Sequence, residues 1–201
     1  MTDTVHTATV STPVGDLRLA VATSSGKERL IALTFADHFE RVVAPVRERV
    51  PGDWDEGETA TTDAVRRYVA GDLAALDGVV VDAGPVSPFR QRVWDALREI
   101  PAGTTWSYRQ LAERVGTAGA VRAVGSANGA NPVWVVVPCH RVVRSDGSLG
   151  GYGGGVERKA WLLAHEGARP AGGAGHTCGE PGVAARSLGW FRTTREGHSC
   201  T

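Results

Sequence analysis

Residues 131–142 read NPVWVVVPCHRV, which sets a cysteine, a histidine and an arginine side by side as Cys139, His140 and Arg141. A thiol becomes a strong nucleophile when a base takes its proton or positive groups stabilise the thiolate. His140 is the obvious base, and the later Glu166 could hold its far ring nitrogen. Adjacent side chains rarely hydrogen-bond to one another, so a water is expected to bridge Cys139 and His140. Attack on a carbonyl would need an oxyanion hole, and no motif promises one. Attack on an alkyl carbon would give a stable thioether with no internal step to release it. A plainer reading stands beside these, because a free cysteine next to an apolar run is most often a small buried hydrophobe.

The elements around these residues decide how they are presented. Four valines and Trp134, bounded by Pro132 and Pro138, predict a short strand over 133–137, buried on both faces and delivering Cys139 at its rigid end. After Cys139 the chain turns at Asp146-Gly147 and enters a glycine loop, 150–155, whose one aromatic residue is Tyr152. The loop lacks a phosphate-binding pattern. Val156, Ala160 and Leu163 define a last helix with Glu166 in its final turn, where a carboxylate is mildly unfavourable and so invites another duty. Upstream, Ser87 and Pro88 start a helix with Phe89, Val93, Leu97 and Ile100 as its buried stripe. Ser107 caps a second helix over 108–115, and Thr117 is expected to cap a third over 118–128. Two short helices around Gly116 make a helix-turn-helix. The third is mostly Ala, Gly and Ser, with Val121 and Val124 turned to the core and Arg122 turned away. One long cation on a bare helix suits a nucleic-acid groove. Tight protein packing with a solvated arginine fits the same residues.

The first half carries no visible chemistry and reads as a scaffold. Strands are predicted over 7–11, 17–23 and 30–35, giving an antiparallel sheet. A helix with Phe39, Val42, Val43 and Val46 is interrupted by Pro45; residues 51–57 form an acidic loop, 62–76 a helix and 79–81 a further strand. The prolines and glycine of 82–88 mark a boundary. The chain therefore divides into an α/β scaffold domain, 1–84, a second domain, 85–168, and a Gly/Ala/Arg-rich tail, 169–201, read as disordered. The fold class is α+β.

At 42% hydrophobic and 22% charged residues, the composition is that of a soluble globular protein. No apolar run could span a membrane, and the start of the chain has no leader pattern, so a cytoplasmic, nucleoid-associated protein is expected. Cys139, Cys178 and Cys200 lack metal-ligand spacing; neither a metal nor a cofactor is expected. Net charge is zero, but residues 1–84 hold eight basic against fourteen acidic residues, and 85–168 hold ten against six. The second segment could meet a phosphate backbone, although ordinary scatter of solvated charge accounts for the same numbers.

The stretch 131–142 closely resembles the signature of the O6-alkylguanine-DNA alkyltransferases. The likeness extends over roughly 88–167, including the helix-turn-helix, Gly151-Tyr152 and the LLAHEG of 162–167. In the first half it rests only on the TPVGDL turn of 12–17 and the strand order. The resemblance implies a ribonuclease H-like N-terminal domain and a winged helix-turn-helix C-terminal domain. It implies irreversible transfer of a methyl or small alkyl group from guanine O6, or thymine O4, in double-stranded DNA to Cys139. By the same likeness His140 is a water-mediated base, Glu166 orients it, Asn131 braces the turn, and Tyr108 assists the departing guanine. Arg122 fills the stack vacated by the flipped base, with Ala120, Ala123 and Ser126 beside it in the minor groove. The Cys139 and Val142 carbonyls read the base, Tyr152 and Gly153 close the pocket, and Lys159 lies near. A monomer acting on DNA, away from membranes, is implied.

Two departures bear on substrate. Trp134 stands where proline, serine or alanine is common, which predicts a narrower pocket favouring methyl; Gly153 stands where a serine is common. A non-catalytic lesion-binding module on the same winged helix is the rival reading, but such binders lack the acceptor cysteine that this sequence has. A cysteine hydrolase ranks third.

Overall fold

The computed structural model of the protein describes residues 4–168. Three β-rich segments near the start become β1 (Thr4–Val10), β2 (Leu17–Ser24) and β3 (Lys27–Phe35), paired antiparallel in sequence order. Ser25 and Gly26, both at positive φ, make the two-residue turn between β2 and β3, the geometry that matches strand twist. The expected acidic loop is in part a strand: β4 (Trp54–Glu56) lies parallel to β1, so the sheet is mixed, in the order β3-β2-β1-β4. Three residues are too few for alternation to show in sequence. Residues 79–81 contribute no strand, only a bridge from Val81 to Leu30.

Alternation gives the sheet two apolar faces. Ala20, Ala22, Ile31 and Ala32 pack against Phe39, Val43 and Val46 of α1 (Ala36–Arg49), which runs unbroken through Pro45. Leu17, Leu19, Leu33 and Phe35 face the larger core, shared with α2 (Ala60–Val69) and the C-terminal helices. Thr59, in a reciprocal capping box with Thr62, starts α2, which stops short of the expected residue 76 because Gly71 takes φ 106°.

The helices of the second half are α3 (Pro88–Arg98), α4 (Tyr108–Arg114), α5 (Val121–Gly129) and α6 (Val156–His165). Ser87 and Ser107 cap α3 and α4 as expected. Thr117 does not cap α5: its hydroxyl reaches back to the Ala112 carbonyl, and the helix begins at Val121, which is exposed, leaving Val124 to the core. Trp94 of α3 donates its indole N–H to the Ala127 carbonyl at 2.8 Å and fixes the tilt of α5. A two-residue parallel pair, β5 (Trp106–Ser107) with β6 (Val142–Val143), forms the small wing. On α6 the buried face is Lys159, Leu162 and Leu163, while Val156 and Ala160 of the expected stripe are exposed; Glu166 sits just past the helix, at its C-cap.

Residues 133–137 depart furthest from the expected strand. All five are buried, yet only Val133 pairs with a strand, as an isolated bridge to Leu33. The chain then coils, with Val136 N–H donating to the Trp134 carbonyl and Val137 N–H to that of Val133. Val135 sits at φ 69°, a region a β-branched side chain rarely enters and one that carries about 1–3 kcal/mol of strain. Burial on every side looks the same in sequence whether the chain is extended or coiled. Pro138 ends no ladder; it precedes a 3-10 turn, Cys139–Arg141. The edge strand β3 clamps the start of this coil, since Leu33 donates to the Pro132 carbonyl at 3.0 Å and accepts from Trp134 N–H at 2.6 Å. The residue 169–201 tail lies outside the described residues.

Candidate active site

Asn131 organises the coil. Its Oδ1 accepts the Val133 N–H at 2.9 Å, and its Nδ2 donates to the Val137 carbonyl at 2.7 Å and to Cys139 Sγ at 3.2 Å. Its own carbonyl accepts the Trp134 indole N–H at 2.8 Å. One side chain thus spans both ends of the turn and touches the thiol.

Cys139 borders a cavity of about 260 Å³, together with four other residues singled out in the sequence: Tyr108, Trp134, Tyr152 and Gly153. Gly125, Asn128, Gly129 and Gly151 complete the wall and were not anticipated. The two helix glycines follow from the small-residue composition of α5, which lets the cavity run against its backbone. Trp134 is only 4% exposed, with its ring 5.3 Å from that of Tyr152 and 6.1 Å from that of Phe35. A Cβ on Gly153 would lie 3.0 Å from the Trp134 ring, and one on Gly154 would lie 2.9 Å from it. The two departures are therefore one: the indole occupies the space that a side chain at 153 would need.

Behind Cys139 lies a buried ionic cluster. Glu166 Oε1 accepts from His140 Nε2 at 3.0 Å, from Arg141 Nη2 at 2.8 Å and from the Tyr68 hydroxyl at 2.7 Å; Oε2 accepts from Arg141 Nε at 2.9 Å. Arg141 also donates to the Ile100 carbonyl at 2.5 Å. Burial pushes the Glu166 carboxyl upward, but the His140 and Arg141 hydrogen bonds outweigh it and hold the group well below the usual carboxylate range. An ionised Glu166 can only accept, so His140 carries its proton on Nε2 and Nδ1 keeps a lone pair. That Nδ1 is buried and has no hydrogen-bond partner among the described residues. Burial is also the largest influence on His140 and lowers its pKa despite the pull of Glu166, so the ring is neutral at neutral pH.

The thiol itself is less electropositive in setting than its neighbours in sequence suggest. Burial pushes Cys139 up to about 11, against the Asn131 hydrogen bond and the Lys159 charge, which draw it down. A thiol so placed needs a base. Lys159 is fully buried, and burial lowers it to about 8. Its ammonium donates to the Val142 carbonyl at 2.5 Å and to that of Leu149, tying the wing to the turn after Cys139. Burial and the neighbouring Cys139 keep the phenol of Tyr108 raised, hence protonated. Arg122, Ala123 and Ser126 are exposed along α5, Ala120 is half-buried just before it, and none of the four lines the cavity.

Residues 88–168 match the family model described as the 6-O-methylguanine DNA methyltransferase, DNA binding domain. A methylated-DNA–protein-cysteine methyltransferase of Shigella flexneri is 42% identical over 163 residues, covering 79% of this chain and 93% of the relative. The chain belongs to the methylated-DNA–protein-cysteine methyltransferase family. The crystal structure of the Mycobacterium tuberculosis O6-methylguanine methyltransferase aligns with a TM-score of 0.64 at 40% identity, over 83% of this chain and 96% of that one. The same organism's protein in complex with DNA aligns at 0.63 and 35%, over 82% and 92%. A methyltransferase of this family performs direct-reversal repair on DNA, moving a methyl group from O6-alkylguanine to one of its own cysteines, once per molecule. In these terms, the contributions that sequence reasoning missed are those of Arg141 and Tyr68. In the sequence Arg141 counts only as one of the positive groups beside the thiol, and Tyr68 falls within the 62–76 helix of the half that carries no visible chemistry.

Removing the charge of Glu166 while keeping its shape leaves Arg141 buried without its counter-ion. Glu166→Gln is expected to lower stability by about 3–5 kcal/mol, measured by denaturant unfolding. A loss under about 1 kcal/mol would show that the cluster is not ionised as described. Asn131→Ala removes the donor to Sγ and both braces of the coil; the expected result is a raised thiol pKa, read from the pH dependence of Cys139 labelling.

Proposed function

We propose that Cys139 is the alkyl acceptor and that His140, held by Glu166, is the base that activates it. The observation that carries the reading is the thiol at the cavity wall, with a neutral imidazole behind it whose Nε2 is committed to a carboxylate. The thiol proton passes to His140 Nδ1 through a bridging water. The thiolate attacks the O6-methyl carbon, an S–C bond forms as the C–O bond breaks, and the electron pair leaves on guanine O6. The departing base takes up a proton, with the Tyr108 phenol as the assisting donor. A thioether has no leaving step, so the protein is spent after one transfer.

The lesion must leave the duplex to reach a wall formed by a buried thiol. Extrusion takes a few kcal/mol, and a side chain inserted in the vacated stack offsets part of it. Arg122 is the long side chain on the exposed face of α5, with Ala120, Ala123 and Ser126 small enough to let the helix backbone approach a minor groove. The protein acts as a monomer on double-stranded DNA. The carbonyls of Cys139 and Val142 read the guanine amine, Tyr152 and Gly153 close over the base, and O4-alkylthymine is a second substrate. Trp134 restricts the alkyl group to small sizes, since its indole fills the wall on which a bulky group would lie.

Incubation with DNA containing O6-methylguanine, followed by digestion and weighing of the peptides, tests the reading. One methyl on the Cys139 peptide is expected; unmodified protein bound to lesion DNA would favour the non-catalytic binder, and many turnovers a hydrolase. Trp134→Ala is expected to speed transfer from O6-benzylguanine more than from O6-methylguanine. Equal rates on both substrates in the unaltered protein would remove Trp134 as the size filter. His140 works as a base only when unprotonated, and its pKa is lowered, so the single-turnover rate should hold as pH falls through the ordinary histidine value of 6.5 and decline only below it. A decline centred above that value would contradict a buried, neutral His140.

A further inference from the structure

Tyr68 belongs to α2, in the half of the chain that reads as scaffold, and no side chain of that helix lines the cavity. Its hydroxyl nevertheless reaches Glu166 Oε1 at 2.7 Å across 98 positions of sequence. The residue is fully buried and held at two further points. Its carbonyl accepts from His165 Nε2 at 2.8 Å, and its ring meets that of His165 edge-on at 5.2 Å, while His165 stacks on Trp161 at 4.9 Å. The buried hydroxyl is thus aimed at the carboxylate by the contacts of its own ring and backbone.

The division of donors over the carboxylate matters. Oε1 takes Tyr68, His140 and Arg141 Nη2, whereas Oε2 takes Arg141 Nε. Tyr68 and His140 therefore draw on the same oxygen, and a stronger bond from one weakens the bond to the other. We propose that Tyr68 is a positioning residue for alkyl transfer: by donating to Glu166 Oε1 it limits how far that carboxylate draws His140 towards the imidazolium, so the seating of α2 sets the basicity of the base. The proposal rests on the assignment of Cys139 as acceptor and His140 as base. Burial and the Glu166 charge keep the phenol itself protonated, so it acts as a donor throughout. The other charged or titratable groups facing Tyr68, Glu166 and His140 are Arg141 and Cys139 on the 3-10 turn, Lys159 and His165 on α6 and Tyr152 on the glycine loop, and none of them changes in the variants below.

The sign follows from the shared oxygen. Without the hydroxyl, Oε1 is more basic, His140 is more readily protonated, and the acid limb of the rate profile moves to higher pH. In Tyr68→Phe the single-turnover rate on methylguanine DNA, measured on the acid limb, should fall about three- to tenfold, as a rise of about half to one pKa unit requires. The rate on the plateau and the affinity for DNA should change little. Fluorotyrosine incorporated at position 68 keeps the packing and makes the hydroxyl a stronger donor, so its limb should move the other way, to lower pH. That second variant serves even where loss of the hydroxyl unfolds the protein. Opposite shifts in the two variants support the proposal; limbs that stay with the unaltered protein, whatever the melting temperatures do, overturn it. Unaltered protein that gains no methyl on Cys139 would instead overturn the assignment on which the proposal rests.

Discussion

A carboxylate buried inside a protein is tolerated only when its charge is answered by hydrogen-bond donors and a counter-ion, and Glu166 is such a group. Its side chain has no exposed surface, and its oxygens accept from an arginine, a histidine and a tyrosine. Leaving out Arg141 would strand the charge at a cost of several kcal/mol, and the Tyr68 and His140 donors complete the carboxylate's hydrogen bonds, so the elements that carry them have little freedom relative to one another. The donors come from α2 and from the 3-10 turn, and the acceptor from the end of α6. The electrostatics of one group thereby locks the two halves of the chain together and fixes the tautomer of His140.

The second constraint is the coil that presents the thiol. Asn131 braces it from within and the edge of β3 from without, and together they hold Val135 at a backbone angle it would not otherwise choose. The sheet therefore does more than support the active domain from a distance; its edge strand hydrogen-bonds to the active turn itself. Trp134 is fixed by the same network through its indole N–H, which is why its bulk can act as a rigid wall and why a glycine faces it at 153.

Much of this was legible in the chain. Ser87, Pro88 and Ser107 mark helix starts by local chemistry that tertiary packing did not override. The cysteine, its histidine and the carboxylate stand out as polar residues beside apolar runs, whereas the brace at Asn131 was implied only by the resemblance to the family. What did not stand out were features whose signal is tertiary. A run of buried residues has no period, so the coil at 133–137 read as a strand. The parallel strand β4 is too short to alternate. Tyr68 occupies a helical stripe where an aromatic ring is ordinary, and only the fold reveals that its hydroxyl meets a carboxylate 98 positions away. Thr117 had the right type and place for a cap, but a backbone carbonyl claimed its hydroxyl.

The protonation state of His140 is the point on which the account turns, and nitrogen NMR of the labelled ring reads it directly. The expected spectrum at neutral pH is that of a neutral imidazole carrying its proton on Nε2, with Nδ1 bare, and it should persist as pH falls through the usual histidine range. An imidazolium at neutral pH, or a proton on Nδ1, would leave Cys139 without the base described here.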